Sequence, residues 1–275
     1  MLLANQITWN PSEGIDLGFL TIHYYSLMFV IAFTLGWYLM KSIFNREGVP
    51  LEKLDSLFIY MVLATLIGAR LGHVIFYDWD YYQDHLLEIF LPVQFEPEFQ
   101  FTGFRGLASH GAAVGIIIAM YLYCKKVLHK PVLWILDRVV IPVAIGGMFV
   151  RIGNFMNSEI IGKPTNSDFG IIFVQLGETF PRHPAQLYEA ACYLIIFIIL
   201  WLIYWKTNKR ETVGYIFGLF LVLLWTVRFC IEFLKEPQVG ERADWALNTG
   251  QWLSIPFIVA GFYFMYRNYS KTKKT

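Results

Sequence analysis

The sequence predicts an all-α fold: a polytopic integral membrane protein with about seven transmembrane helices around a central lipid-facing cavity. Three observations carry this. Hydrophobic residues make up 56% of the 275 positions and charged residues only 16%, outside the range of soluble domains. The apolar residues come in runs close to the ~20 positions that cross a hydrocarbon core. Aromatics reach 18%, with nine Trp, as expected where rings sit at two water interfaces.

The spans are read at residues 20–40, 57–76, 107–123, 133–149, 187–205, 213–233 and 252–266. Before the first, no Lys or Arg occurs in twenty residues and no small-residue cleavage pattern follows. A permanent helix is therefore expected there, not a removable leader. The fourth span contains Pro142 and Gly146-Gly147, so a kink or an early end is expected. Residues 77–106 form a long acidic connection with Asp78, Asp80, Asp84, Glu88, Glu96 and Glu98. Its aromatic content suits an external arm or a segment lying on the membrane, and a solvated loop is the alternative. No internal repeat marks a secondary transporter, and one membrane-embedded domain over residues 1–275 is expected.

Orientation follows from Lys and Arg. Residues 41–56, 124–138, 206–212 and 267–275 carry fourteen of them, the opposite segments six, and Arg70 and Arg228 lie within spans. The N-terminus is expected outside and the C-terminus in the cytoplasm. The net charge of +1 gives no pull towards nucleic acid. Cys124, Cys192 and Cys230 share no metal or disulfide spacing and read as small packing residues. There is no His-Glu-x-x-His helix, acidic magnesium cluster or Gly-x-Ser-x-Gly elbow, so no metal or cofactor is expected.

The polar content concentrates after the fourth span, in Arg151-Ile152-Gly153-Asn154-Phe155-Met156-Asn157-Ser158-Glu159-Ile160-Ile161-Gly162. Ionisable groups at bilayer depth are functional candidates, and a guanidinium suits a phosphate. The topology puts Arg70, Arg151 and Arg228 towards the outer leaflet, with His110 and His183 at the starts of spans three and five. Each has a plain alternative. Arg228 and Glu232, four apart, suit a structural ion pair. Arg70 suits snorkelling beside the packing residues Gly68 and Gly72. His110 suits a bond to a neighbouring helix. His183 precedes Pro184 at a helix start. Gln186, Tyr188 and Glu189 suit bonds to loop backbone, and Asn154, Asn157 and Glu159 suit capping of the loop. Convergence at one depth favours an anionic-lipid site.

The stretch from Arg151 to Gly162 resembles the signature of the bacterial phosphatidylglycerol–prolipoprotein diacylglyceryl transferases, Arg-x-Gly-Asn-Phe-x-Asn-x-Glu-x-x-Gly. Gly68-Ala69-Arg70-Leu71-Gly72, His110-Gly111, Asp137, His183-Pro184-Ala185-Gln186-Leu187-Tyr188-Glu189, Arg228-Phe229, Glu232-Phe233 and Glu236-Pro237 are similar to further motifs of that family, in its order. Ala112 stands where a second Gly is common, Ser26 where Gly is usual, and Leu224 where Tyr is expected.

The resemblance implies transfer of the diacylglyceryl group of phosphatidylglycerol to the lipobox cysteine of a prolipoprotein signal peptide, in the bacterial inner membrane. A thioether forms and glycerol phosphate leaves. It implies His110 as the base for the thiol, with His183 the lesser candidate, and Arg151 and Arg228 on the departing phosphate. Asn154 is expected on the headgroup, Glu159 and Glu232 as orienters of the arginines, and Tyr25 in the cavity lining. Arg70, Asn157, Gly162, Gln186 and Tyr188 complete the expected substrate-binding set. A non-catalytic carrier or scramblase of anionic lipid is the rival reading, and a headgroup transferase acting on a hydroxyl a weaker one.

Overall fold

In hydrocarbon each backbone polar group must be satisfied within its own segment, so the apolar runs coil into helices. The computed structural model describes residues 7–18, 21–91, 93–95, 98–101, 106–236 and 247–272. Leu20, Glu96 and Pro237 of the expectations above lie outside these. The helices are α1 (Tyr24–Glu47), α2 (Leu51–Phe76), α3 (Trp79–Tyr82), α4 (Ser109–Tyr123), α5 (Val132–Met156), α6 (Ala185–Lys206), α7 (Tyr215–Ile231) and α8 (Thr249–Thr272). Among the described residues, three small sheets accompany them. Strand β1 (Ile7–Trp9) runs parallel to β6 (Ile171–Phe173). β2 (Gly14–Asp16) pairs antiparallel with β3 (Thr21–His23), and β4 (Val93–Gln94) with β5 (Gln100–Phe101).

Among the described residues, α1, α2, α5, α6 and the stretch His110–Leu128 are long and apolar enough to cross a membrane. The last is α4 continued by a π-helical turn. α7 is apolar but shorter, and α8, which covers the seventh expected span, is not among the five. The protein is thus a multi-pass, mainly helical membrane protein.

One element departs from expectation. α5 does not stop near Phe149 but runs through Pro142 to Met156. A proline removes one helical hydrogen bond, which a membrane helix tolerates where neighbours pack closely. Gly36 and Ala32 of α1 supply that closeness, the first against Pro142 and the second against Gly146. The extension places Arg151 and Asn154 on the last two helical turns rather than in a loop.

The chain divides into two compact units, Lys41–Ile135 and Met1–Met40 with Leu136–Thr275. In the first, α2 packs on α4 through bare backbone. A Cβ at Gly72 would lie 2.6 Å from the Gly111 Cα, and one at Gly115 would lie 3.1 Å from the Gly68 Cα. Small residues admit this approach, which is how lipid-embedded helices associate without a hydrophobic drive.

The arm of this unit comprises α3, a 3-10 turn at Leu86–Ile89 and the β4–β5 hairpin. Arg70 and Glu88 hold it. Arg70 donates from Nε to the Ile89 carbonyl (2.9 Å) and from Nη2 to the Glu88 carbonyl (2.8 Å) and the Tyr82 hydroxyl (3.0 Å). The Glu88 carboxylate accepts from the Phe95 amide and the Tyr81 hydroxyl, each at 2.7 Å. Burial opposes ionisation of Glu88, but these two bonds with the charges of His85 and Arg70 outweigh it and hold its carboxyl below the ordinary carboxylate range. A lowered pKa stabilises the arm above the unfolded-state value, and that contribution is lost as pH falls through the folded one. Hydrogen exchange at the Phe95 amide is therefore expected to be slow at neutral pH and to accelerate in acid. Glu88→Gln should abolish the acid step; an acid step that persists in this variant would assign it to another group.

In the second unit, Asp137 is fully buried and accepts from the amides of Gly214 (2.6 Å) and Phe217 (2.8 Å), satisfying orphan donors at the start of α7. α8 begins with a reciprocal cap between Asn248 and Gln251, whose side chains accept each other's amides at 2.9 and 3.0 Å. Trp9 on β1 stacks on Phe155 (4.3 Å) and donates to its carbonyl (3.0 Å), joining the Phe155, Ile171 and Phe173 core.

Candidate active site

In this second unit the C-terminal ends of α5 and α7 and the N-terminal ends of α1 and α6 carry one polar network. Arg151, in the last two turns of α5, pairs through Nε with the Glu189 carboxylate at 2.7 Å. Its Nη1 donates to the Asn154 side chain (3.1 Å), which donates on to Glu159 (3.2 Å). Asn157 donates to the other Glu159 oxygen (3.1 Å). The Tyr25 hydroxyl hydrogen-bonds the Asn154 side chain, within reach of the charges of Glu159 and Arg151. Gly153 lets this ring approach, since a Cβ there would lie 2.8 Å from it.

After α5 the backbone turns through Ser158 (φ 54) and Ile160 (φ 55). Left-handed backbone is uncommon for a non-glycine residue and costs about 1–3 kcal/mol each. Gln186 helps to hold the turn by donating to the Glu159 carbonyl at 2.6 Å, and the Glu159 amide bonds the Asn154 carbonyl at 2.9 Å. Gly162 then passes under His183: its amide donates to the His183 carbonyl (2.9 Å), with which a Cβ would collide. The His183 Nδ1 lies 3.4 Å from the Tyr188 hydroxyl.

Glu189 is fully buried, and its second oxygen lies 2.9 Å from Lys235 Nζ. Lys235 is also 3.6 Å from Glu232. Tyr193, one turn beyond Glu189, lies within electrostatic reach of Glu189, Arg151 and Arg228. Arg228 differs from Arg151 and Lys235 in forming no ion pair among the described residues. Among the described residues its buried Nε has no hydrogen-bond partner, and its guanidinium lies over the Trp225 ring at 5.5 Å. The three cations Arg151, Arg228 and Lys235 stand beside the three carboxylates Glu159, Glu189 and Glu232. The cluster is therefore balanced in charge.

The structure thus brings Tyr25, Arg151, Asn154, Asn157, Glu159 and Gln186 together, with Arg228 and Glu232 reached through Glu189, Tyr193 and Lys235. Gly162, expected at the substrate, spends its bare backbone on the approach to His183. Arg182 is structural: it donates to both Glu178 oxygens (2.5 and 2.6 Å) and to Glu236 (2.8 Å). The bonds to Glu178 come first in raising its pKa. Arg70 and His110 belong to the other unit. Arg70, expected on the lipid, has donors engaged by the arm. His110 is exposed in the first turn of α4, its ring 5.1 Å from Phe76 and 5.8 Å from Tyr77.

Glu189 and Lys235 were not among the expected site residues. Glu189 had a signal: it falls on the buried stripe of α6 with Gln186, Ala190 and Tyr193, where a carboxylate needs a cation. Lys235 had none beyond its spacing of three from Glu232.

The chain is similar to known proteins along most of its length. Residues 13–267 match the family described as prolipoprotein diacylglyceryl transferase. A phosphatidylglycerol–prolipoprotein diacylglyceryl transferase of Tolumonas auensis is 42% identical over 258 residues, 94% of this chain and 95% of that protein. The protein of the same name from Bacteroides fragilis is 42% identical over 267 residues, 96% of each chain. That from Chloroherpeton thalassium is 38% identical over 266 residues, 96% of this chain and 95% of its own. The chain belongs to the prolipoprotein diacylglyceryl transferase family.

Proposed function

We propose that this membrane enzyme moves the diacylglyceryl group of phosphatidylglycerol onto the lipobox cysteine of a prolipoprotein. The thiolate sulfur attacks the glycerol carbon that bears the phosphate. The carbon–oxygen bond breaks, a thioether forms, and glycerol phosphate departs. The observation that carries this reading is the buried Arg228 Nε, without a partner among the described residues, while Arg151 and Lys235 beside it are paired with carboxylates. An always-charged donor left open in such a place suits the oxygen on which negative charge develops.

Arg151 serves the phosphate from a fixed position, because Glu189 and Asn154 lock its guanidinium. Tyr25, Asn154, Asn157 and Glu159 present hydroxyl, amide and carboxylate groups to the glycerol headgroup. His110 accepts the thiol proton, with His183 as the second candidate. A free thiol has a pKa of about 8.5 and is only partly ionised at neutral pH, so a base accelerates attack. Arg70 contributes by anchoring the arm. Exposed Leu87, Phe90, Phe99 and Phe101 suit that arm to a bilayer surface. On this reading the enzyme works in the bacterial inner membrane, N-terminus outside, with its site towards the outer leaflet, as the Lys and Arg distribution supports.

Purified protein incubated with phosphatidylglycerol vesicles and a lipobox peptide should add the mass of one diacylglyceryl group to the peptide cysteine. An unmodified peptide, with lipid label moving between leaflets, would favour the carrier reading instead.

A further inference from the structure

We infer that Lys235 is a positioning residue that keeps Arg228 available to the lipid phosphate by holding Glu232 away from it. This rests on the reading of Arg228 as a phosphate receptor. Glu232 directly follows α7 in helical conformation (φ −58°, ψ −25°), four residues after Arg228. An arginine and a carboxylate at this spacing share a helix face and ordinarily pair. Among the described residues they form no ion pair, and the Arg228 Nε stays without a partner.

The reason lies in what surrounds Glu232. Its carboxylate is 3.6 Å from Lys235 Nζ. On another side it packs on Gly250, where a Cβ would lie 2.6 Å from the carboxyl carbon. Lys235 is itself buried, 5% exposed along its side chain, and binds Glu189 at 2.9 Å, whose other oxygen holds Arg151. One ammonium therefore stands between two carboxylates, Glu189, which also holds Arg151, and Glu232, which would otherwise turn to Arg228. The end of the Arg151–Gly162 signature fixes its backbone. The Lys163 amide donates to the Leu234 carbonyl (2.8 Å), and the Glu236 amide to the Ile161 carbonyl (3.1 Å). A buried carboxylate deprived of its cation is costly, and Glu232 would turn to Arg228, four residues back on the same helix face. Phosphatidylglycerol would then have to displace Glu232 before it could bind.

The test is a phosphatidylglycerol titration of the transfer reaction by Lys235→Met, Lys235→Arg and the double variant Lys235→Met/Glu232→Gln. Lys235→Met should raise the KM for the lipid about ten- to hundredfold, the scale of a charge-assisted hydrogen bond, while kcat recovers at saturating lipid. Lys235→Arg should stay close to the parent. The double variant should return KM towards the parent value, which a packing defect at position 235 would not do. A parental KM in Lys235→Met, or a double variant no better than the single one, overturns the inference. Arg228→Gln separates the two readings. If it leaves the lipid KM unchanged, the phosphate role of Arg228 itself fails; if it raises KM while Lys235→Met does not, only the role of Lys235 fails.

Discussion

Arg228→Lys is expected to lower the rate of thioether formation by about 10²–10³, the loss that follows removal of one donor to a developing oxyanion. The substitution keeps the charge, so electrostatic attraction of the lipid survives. It removes the planar fork and with it the Nε donor that the protein leaves unpartnered. A lysine ammonium is a point charge on a flexible stem. Four residues before Glu232 on the same helix face, it would be drawn into the ionic network instead of facing the phosphate. Initial rates with phosphatidylglycerol vesicles and a lipobox peptide measure the effect. Near-parental turnover would show that charge alone suffices and that the fork is irrelevant.

His110→Ala is expected to cost about 10²–10⁴ in turnover, the usual contribution of a positioned general base. The position of this ring depends on backbone. Gly111, the next residue, lies against Gly68 and Gly72 so closely that no side chain fits, and the Ala108 amide bonds the Ala69 carbonyl at 2.9 Å. The first turn of α4 is thereby fixed on α2. Lipid retention by the variant should be unchanged, because the base acts on the thiol and not on the phosphate. The deficit should shrink as pH rises towards the thiol's own pKa, about 8.5, where a base is no longer needed. Should His183→Ala show this pH-dependent loss and His110→Ala not, the two histidines exchange roles.

The class of fold was legible because it is written in length and apolarity, properties that every residue of a span shares. The signature was legible for the opposite reason: Arg151, Asn154, Asn157 and Glu159 are polar residues where polarity is expensive. Pro142 misled the reading because a local rule for interior proline was applied without the neighbour that accommodates it, Gly36 on α1. Arg70 was ambiguous by sequence, since a guanidinium near a membrane surface suits a lipid phosphate as well as peptide carbonyls. Only the fold of the arm shows where its donors went. The Glu189–Lys235 pair joins residues 46 apart in sequence, and no periodicity reports such a partner.

The balance of charges around Arg228 bears on how a turnover ends. The lipid arrives as a singly charged diester, while the released monoester carries close to two negative charges at neutral pH. A pocket with every cation open would grip that dianion more tightly than the substrate and stall after one cycle. Here Arg151 and Lys235 already have carboxylate companions, so the spent headgroup meets acidic neighbours as its own charge grows. Egress is thereby favoured, and glycerol phosphate should be a feeble competitor of the lipid.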